Sequence, residues 1–369
     1  MLKLFNDFGE VSAQGGFSNP VHFDFDARFD EEFVQQLTLS CAKGYVAQNV
    51  TLTDSGDTAD RYFFSVNGTS WADSAEFATI TDNATCYIKA RTTENETAAT
   101  LHDAKLLLTY ELQPAVLPNF YYTNPGDADL LAVEGATTVT TTAAQSVTGK
   151  AFYGGQRADM FHTPDIQEVW IRLDIWIPAR DMNYHEFYIG HFGSNNSGVL
   201  GIRYVYGSSY LSLRDGSKER AYLYVLRNAL NRVVLHIKSG ELIEMTANSS
   251  TVSWAGNINN GEPLNSLVTL SNANDIFFSN VVVSSGEINS ACGWHRELFS
   301  LETVITAPVL NVRWQGENHQ FKPSTKRTKP AFTVRVGDRN FYAPLVNENN
   351  ALASAVRLLL DDTNRALTT

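Results

Sequence analysis

Along much of this chain apolar and polar residues alternate strictly, the period-two signature of a strand with one buried face. It is plainest at Val169-Trp170-Ile171-Arg172-Leu173-Asp174-Ile175-Trp176-Ile177. Here Val169, Ile171, Leu173, Ile175 and Ile177 share one face, and mostly polar or amphipathic side chains share the other. Similar runs follow at Glu186 to Phe192, Leu200 to Tyr206, Tyr210 to Leu213, Tyr222 to Leu226, Val233 to Ile237 and Ile276 to Val283. Turn-forming clusters separate them: Gly193 to Gly198, Asp215-Gly216-Ser217, Ser239-Gly240 and Asn257 to Gly261. Many short strands punctuated in this way predict an all-β sandwich or jelly roll.

The N-terminal part carries the same signature. Val21, Phe23, Phe25, Ala27 and Phe29 alternate with His22, Asp24, Asp26, Arg28 and Asp30. Tyr62-Phe63-Phe64-Ser65-Val66 runs into Asn67-Gly68, a pair suited to the positive φ angles of a tight hairpin turn. Cys86 to Arg91 and Leu106 to Leu112 supply later strands. Pro114, Pro118 and Pro125 follow, each removing a backbone donor and restricting its predecessor, and they set the first boundary near Gln113 to Asn119. The Thr-rich stretch Ala136 to Ala144 reads as a strand, because β-branched side chains favour a pleated surface.

At the C-terminal end a weak internal repeat appears. Leu310 to Gly316, Phe332 to Asp338 and Ala355 to Asp361 share a Val-Arg-apolar core followed by a turn position. Each has an apolar or aromatic return: Phe321, then Phe341 to Val346, then Ala366-Leu367. These units predict successive β-hairpins. Propensity alone favours a helix over Asn350 to Leu360, and the repeat decides for a strand. Three domains result: residues 1–113, a β-sandwich; 119–290, a second sandwich; and 300–369, the hairpin repeats.

Composition narrows the function. A chain of 369 residues is too long for one ordinary sandwich, and its 43% hydrophobic content and mean hydropathy of -0.19 are those of a globular protein. No apolar run approaches the roughly 20 residues that span a bilayer, so membrane insertion is not expected. The start, Met1 to Glu10, lacks the apolar core of a signal peptide, and export through a secretion channel is not expected. A net charge of -12 argues against nucleic acid as a partner. Cys41, Cys86 and Cys292 are odd in number and widely spread, and they read as buried free thiols.

The search for catalytic chemistry returns almost nothing. His185-Glu186-Phe187-Tyr188-Ile189-Gly190-His191 begins like a zinc protease helix, but Ile189 stands where the second ligand is needed. Asp24, Asp26 and Asp30 share a polar face and read as solvated acids rather than a calcium site. Asp54, Asp57 and Asp60 lack the Gly and Glu of a calcium-binding loop and read as turn residues. Glu241 and Glu244 are three apart, so on a strand they face opposite sides and cannot act as a glycosidase pair. The reading is therefore no enzyme, no metal and no cofactor.

Three resemblances bear on function. Asn231 to Lys238 followed by Glu241 to Glu244, with Ile276 to Ser285 as closing strand, resembles the concanavalin A-like, laminin G-like lectin fold as found in phage and prophage proteins. The stretches "YFFSVNGTSW" at Tyr62 to Trp71 and "CYIKAR" resemble small immunoglobulin-like accessory modules of phage structural proteins. The C-terminal units are similar to segments of phage virion proteins in which "VRV-G-…-YA-PLV" patterns recur. Together they imply a virion structural protein of a tailed bacteriophage, part of a tail, fibre or baseplate appendage, which associates with other virion proteins and forms a homo-oligomer. A lectin-like module implies host-surface polysaccharide as ligand. Aromatic faces stack on a pyranose while amides and charged groups bond its hydroxyls. The candidates are Tyr184, His185, Asn195, Asn196, Tyr206, Tyr210, Trp254, Asn257 and Asn259, although turn formation by Asn and edge filling by Tyr account for most of them. An architectural virion or head-decoration protein without ligand, a polysaccharide-degrading enzyme on the same fold, and a bacterial surface adhesin remain open. Lys322, Lys326, Arg327 and Lys329 form a basic loop that reads as solvated.

Overall fold

The computed structural model describes residues 1–16, 18–27, 29–93, 96–119, 121–124, 138–153, 158–162, 168–179, 187–192, 198–205, 208–215, 218–238, 242–255, 264–270, 276–307, 310–314, 317–321, 331–336, 339–344, 355–360 and 363–368. These residues are almost all β, as the alternation predicts, with one short 3-10 turn at Ala59–Arg61. None of their helices is long and apolar enough to cross a membrane.

The first sandwich pairs two sheets. One runs Gly9–Glu10, Leu2–Asn6, Glu32–Cys41, Asn83–Arg91, Tyr62–Ser65; the other runs Val21–Asp26, Gly293–Thr306, Lys105–Pro114, Tyr45–Ser55, Ser74–Ile80. Val21, Phe23, Phe25 and Ala27 point inward as their alternation requires, and meet Leu37, Leu39, Phe64 and Ile88 of the facing sheet. Each of the Val, Leu, Ile and Phe side chains among them contributes roughly 1.5–3 kcal/mol by leaving water. Buried hydroxyls find partners: Tyr62 and Thr303 are joined at 2.7 Å, and Tyr110 donates to Glu297 at 2.6 Å. Cys41, Cys86 and Cys292 are buried and unpaired.

The strand Gly293–Thr306 sets the architecture. Its first part runs antiparallel to Lys105–Pro114, from Gly293 opposite Leu112 to Ser300 opposite Lys105. Its second part runs parallel to Val21–Asp26, from Leu301 beside Val21 to Thr306 beside Asp26. The first sandwich thus contains a strand outside the 1–113 span, and the second sandwich is inserted between two of its neighbouring strands.

That second sandwich also has two sheets. One runs Thr138–Thr140, Lys150–Tyr153, Phe277–Ser284, Glu168–Ile177, Ala229–Lys238, Leu242–Ala247, Ser250–Ala255, and Tyr121–Asn124 also pairs with Phe277–Ser284. The other runs Ala158–His162, Leu264–Leu270, Phe187–Phe192, Gly198–Val205, Ser208–Asp215, Lys218–Val225. Ile171, Leu173, Leu235 and Phe278 from the first pack into one core with Leu211, Leu213, Leu223 and Val225 from the second.

Four sequence expectations need amendment. Glu168–Ile177 is not simply half-buried, because Arg172 and Asp174 on its polar side are fully buried where the returning chain crosses. Asn67-Gly68 does not close a two-residue turn. Phe64 pairs with Ala72, and Asn67 Oδ1 accepts from the Thr69 and Ser70 amides while Gly68 alone takes positive φ. Asp54 lies within the strand Tyr45–Ser55 rather than in a turn. In the Thr-rich stretch the strand is short, Thr138–Thr140, and turns follow it. The C-terminal repeat does form hairpins: Leu310–Trp314 with Glu317–Phe321, Ala331–Val336 with Arg339–Pro344, and Ala355–Leu360 with Thr363–Thr368.

Candidate functional site

The strands Ser208–Asp215 and Lys218–Val225 form the edge of the second sandwich's smaller sheet. Leu211, Leu213, Ala221, Leu223 and Val225 are buried, so period two turns Tyr210, Tyr222 and Tyr224 to the outside. Tyr210 lies directly opposite Tyr224, with ring centroids 4.6 Å apart, and meets Tyr222 edge-on at 5.5 Å. Tyr222 is 52% and Tyr224 65% exposed, and Leu226 on the same side is 60% exposed. A hydrogen bond with Tyr210, with smaller repulsion from Tyr210 and Tyr222, raises the Tyr224 pKa and keeps that phenol neutral. One step down the strand, Arg220 holds its guanidinium 5.7 Å above the Trp254 ring. Trp254 itself packs against the edge of the core.

The result is a band of aromatic rings held rigidly on a strand pair, open to solvent and offering phenol hydroxyls at its rim. Such rings present flat apolar faces with polar tips. Of the residues expected from sequence, Tyr210 lies at the centre of this band, whereas Trp254 stands on Ser250–Ala255 of the larger sheet, on its core-facing side beside Arg220. Tyr184, His185, Asn195, Asn196, Tyr206, Asn257 and Asn259 lie outside the described residues. Tyr222, Tyr224 and Arg220 were missed as site residues. Their signal was the run Ala221 to Leu226, which is apolar or aromatic on both faces although its strand closes a sheet.

A concave surface lies on the outer side of the larger sheet. A groove of about 490 Å³ is lined by Trp170, Val234, His236, Glu244, Thr246 and the connecting segment Glu287 to Ser290. Trp170 stacks on His236 with centroids 4.1 Å apart, and His236 Nε2 lies 2.9 Å from Glu168 Oε1. Elsewhere, Asp24 is paired with His22 at 3.0 Å. Among the described residues no group of three His, Cys, Asp or Glu side chains is arranged to hold a metal ion.

These features define an all-β, two-sandwich chain with an exposed aromatic surface on the inserted sandwich. No known protein family matches the chain. No curated protein matches it either. Solved structures show weak similarities. A cellulose-induced protein, Cip1, aligns at 12% identity and TM-score 0.31, over 46% of this chain and 93% of its own. The enzymatically active domain of bacteriophage CBA120 tailspike protein 2 aligns at 10% identity and TM-score 0.31, over 47% of this chain and 30% of its own. The binding domain of botulinum neurotoxin DC aligns at 10% identity and TM-score 0.28, over 67% of this chain and 68% of its own. At these levels function rests on this chain's own surfaces.

Proposed function

We propose that this chain is a structural subunit of a tailed-bacteriophage virion, part of a tail, fibre or baseplate appendage, whose inserted sandwich holds host-surface glycan. The observation that carries the binding role is the Tyr210, Tyr222 and Tyr224 band. Two of its rings are more than half exposed and yet fixed by contact with the third. Exposed aromatic patches on a rigid scaffold mark ligand or partner surfaces, and flat rings with hydroxyl tips suit the apolar face and hydroxyl rim of a pyranose. The virion setting rests on the sequence resemblances in all three segments. The test is binding of the full chain to glycan arrays and to intact bacterial cells, with Tyr222→Ala/Tyr224→Ala as the comparison.

One observation favours a second reading, a polysaccharide-degrading enzyme. Glu244 and Glu287 line the groove beside Trp170 and His236, and Glu168 bonds the same His236. Carboxylates from separate segments therefore gather at one aromatic-walled groove, a composition that glycan cleavage uses. Release of reducing ends or unsaturated products by the full chain, abolished in Glu244→Gln, is the outcome this reading requires.

A further inference from the structure

On the first sandwich, the outer face of the sheet containing Glu32–Cys41, Asn83–Arg91 and Tyr62–Ser65 carries an aromatic and cationic patch. Val34, Lys89 and Phe63 stand in one cross-strand row, since Val34 is opposite Lys89 and Lys89 is opposite Phe63. The Lys89 ammonium lies 5.6 Å from the Phe63 ring centroid and 5.0 Å from that of Trp71, so it is held between two rings. The next row sets Glu32 opposite Arg91, whose guanidinium lies 4.6 Å above Phe63. Val34 is 51% exposed, a β-branched side chain left open beside these groups.

This composition differs from an ordinary solvated strand face. Aromatic residues and Arg dominate the binding energy of protein interfaces, and here they are pre-ordered on three paired strands, so little rotamer freedom is left to lose on docking. Charge identifies the occupant. The chain carries -12 overall, so two copies repel except where cations are concentrated. The patch places Lys89 and Arg91 beside Glu32, which is itself well exposed and reaches Lys89 at 3.4 Å. A surface bearing both signs around an apolar centre is self-complementary, which is the requirement for an isologous contact in which one residue meets another and the reverse holds across the axis.

We propose that this face docks against the same face of a second copy, with Glu32 of each copy meeting Arg91 or Lys89 of the other around a Val34 and Phe63 centre.

Sedimentation velocity of the full chain across a range of protein concentrations tests it. The wild type is expected to self-associate, with affinity falling as salt is raised. Val34→Asp/Lys89→Glu is expected to weaken association at least tenfold. Arg91→Glu alone is expected to weaken it, and Glu32→Arg/Arg91→Glu, which exchanges the two charges, to restore it; circular dichroism of each variant excludes misfolding. A wild type that stays monomeric throughout, or an association unchanged in Val34→Asp/Lys89→Glu and in Arg91→Glu, overturns the proposal.

Discussion

Asn280 and Trp294 clasp one another where the chain returns from the second sandwich to the first. The Trp294 amide donates to Asn280 Oδ1 at 2.6 Å, and Asn280 Nδ2 donates to the Trp294 carbonyl at 2.8 Å. Asn280 Nδ2 also donates to Asp174 Oδ2 at 2.8 Å, and the Asn280 carbonyl accepts from Arg172 Nη1 at 2.8 Å. One asparagine, itself in the left-handed region at φ 58°, thereby ties the polar side of Glu168–Ile177 to the start of Gly293–Thr306.

Gly293 is where this clasp tolerates no side chain. Its φ is +97°, and a Cβ there falls 2.6 Å from Asn280 Oδ1. Gly293→Ala is expected to destabilise the protein by about 1–3 kcal/mol in chemical denaturation. Gly44→Ala, at φ +87° with open space around it, carries the backbone strain without the clash and is expected to cost less.

The buried ion pair beneath the clasp gives a second expectation. Arg172 Nη2 lies 3.1 Å from Asp174 Oδ1, and both side chains are fully buried. Burial lowers the Arg172 pKa to about 10, outweighing the attraction of Asp174, so the guanidinium stays charged at neutral pH. Asp174→Ala leaves that charge uncompensated and is expected to cost about 3–5 kcal/mol, whereas Arg172→Met/Asp174→Leu is expected to cost less than the single change. Urea denaturation of the three proteins reads the difference.

Asp54 predicts a pH dependence. Burial, reinforced by Asp73 and Asp60, raises its pKa from 3.8 to about 6, and its Oδ2 atom has no hydrogen-bond partner. Between those values the folded chain retains a proton that the unfolded chain has lost, so stability falls as pH rises from about 4 to about 6. Asp54→Asn is expected to match the wild type in thermal stability near pH 4 and to exceed it above pH 7. The gain is on the order of 1 kcal/mol once solvent screening of this half-buried group is allowed for.

The insertion predicts how the chain can be shortened. Leu112 and Gly293 are paired neighbours, so joining Pro114 to Gly293 through a short Gly-Ser turn closes an ordinary hairpin. Residues 1–114 and 293–307 so joined are expected to fold cooperatively. Residues 1–113 alone lack the strand between Val21–Asp26 and Lys105–Pro114, and are expected to stay unfolded by circular dichroism.

Much of this fold was legible because period-two alternation reports one buried face directly. Val21 to Ala27 and Val169 to Ile177 show it in their inward residues, and the Val-Arg-apolar units became hairpins for the same reason. What pattern cannot report is which distant strand completes a sheet. Gly293–Thr306 falls across the gap between the second and third expected domains and was not read as a strand, and only its pairing with Lys105–Pro114 and Val21–Asp26 reveals the insertion. Arg172 and Asp174 were misread for a related reason: polar side chains imply a wet face unless a crossing segment covers them. Of the proposed binding surface, Tyr210 was legible as an aromatic residue near a turn. Tyr222 and Tyr224 were hidden because aromatic residues in a strand ordinarily fill a core, and only the burial of Leu223 and Val225 turns them outward.

Binding at the tyrosine band is open to direct measurement. Binding of the full wild-type chain to bacterial cells and to their isolated surface polysaccharides should be compared with Tyr222→Ala/Tyr224→Ala under conditions in which both give the same circular dichroism spectrum. Saturable binding by the wild type, weakened about tenfold or more in the variant, is the predicted result, each stacked ring being worth about 0.5–1.5 kcal/mol beyond its buried area. Absence of binding to any cell or polysaccharide, or equal binding by the two proteins, would contradict it.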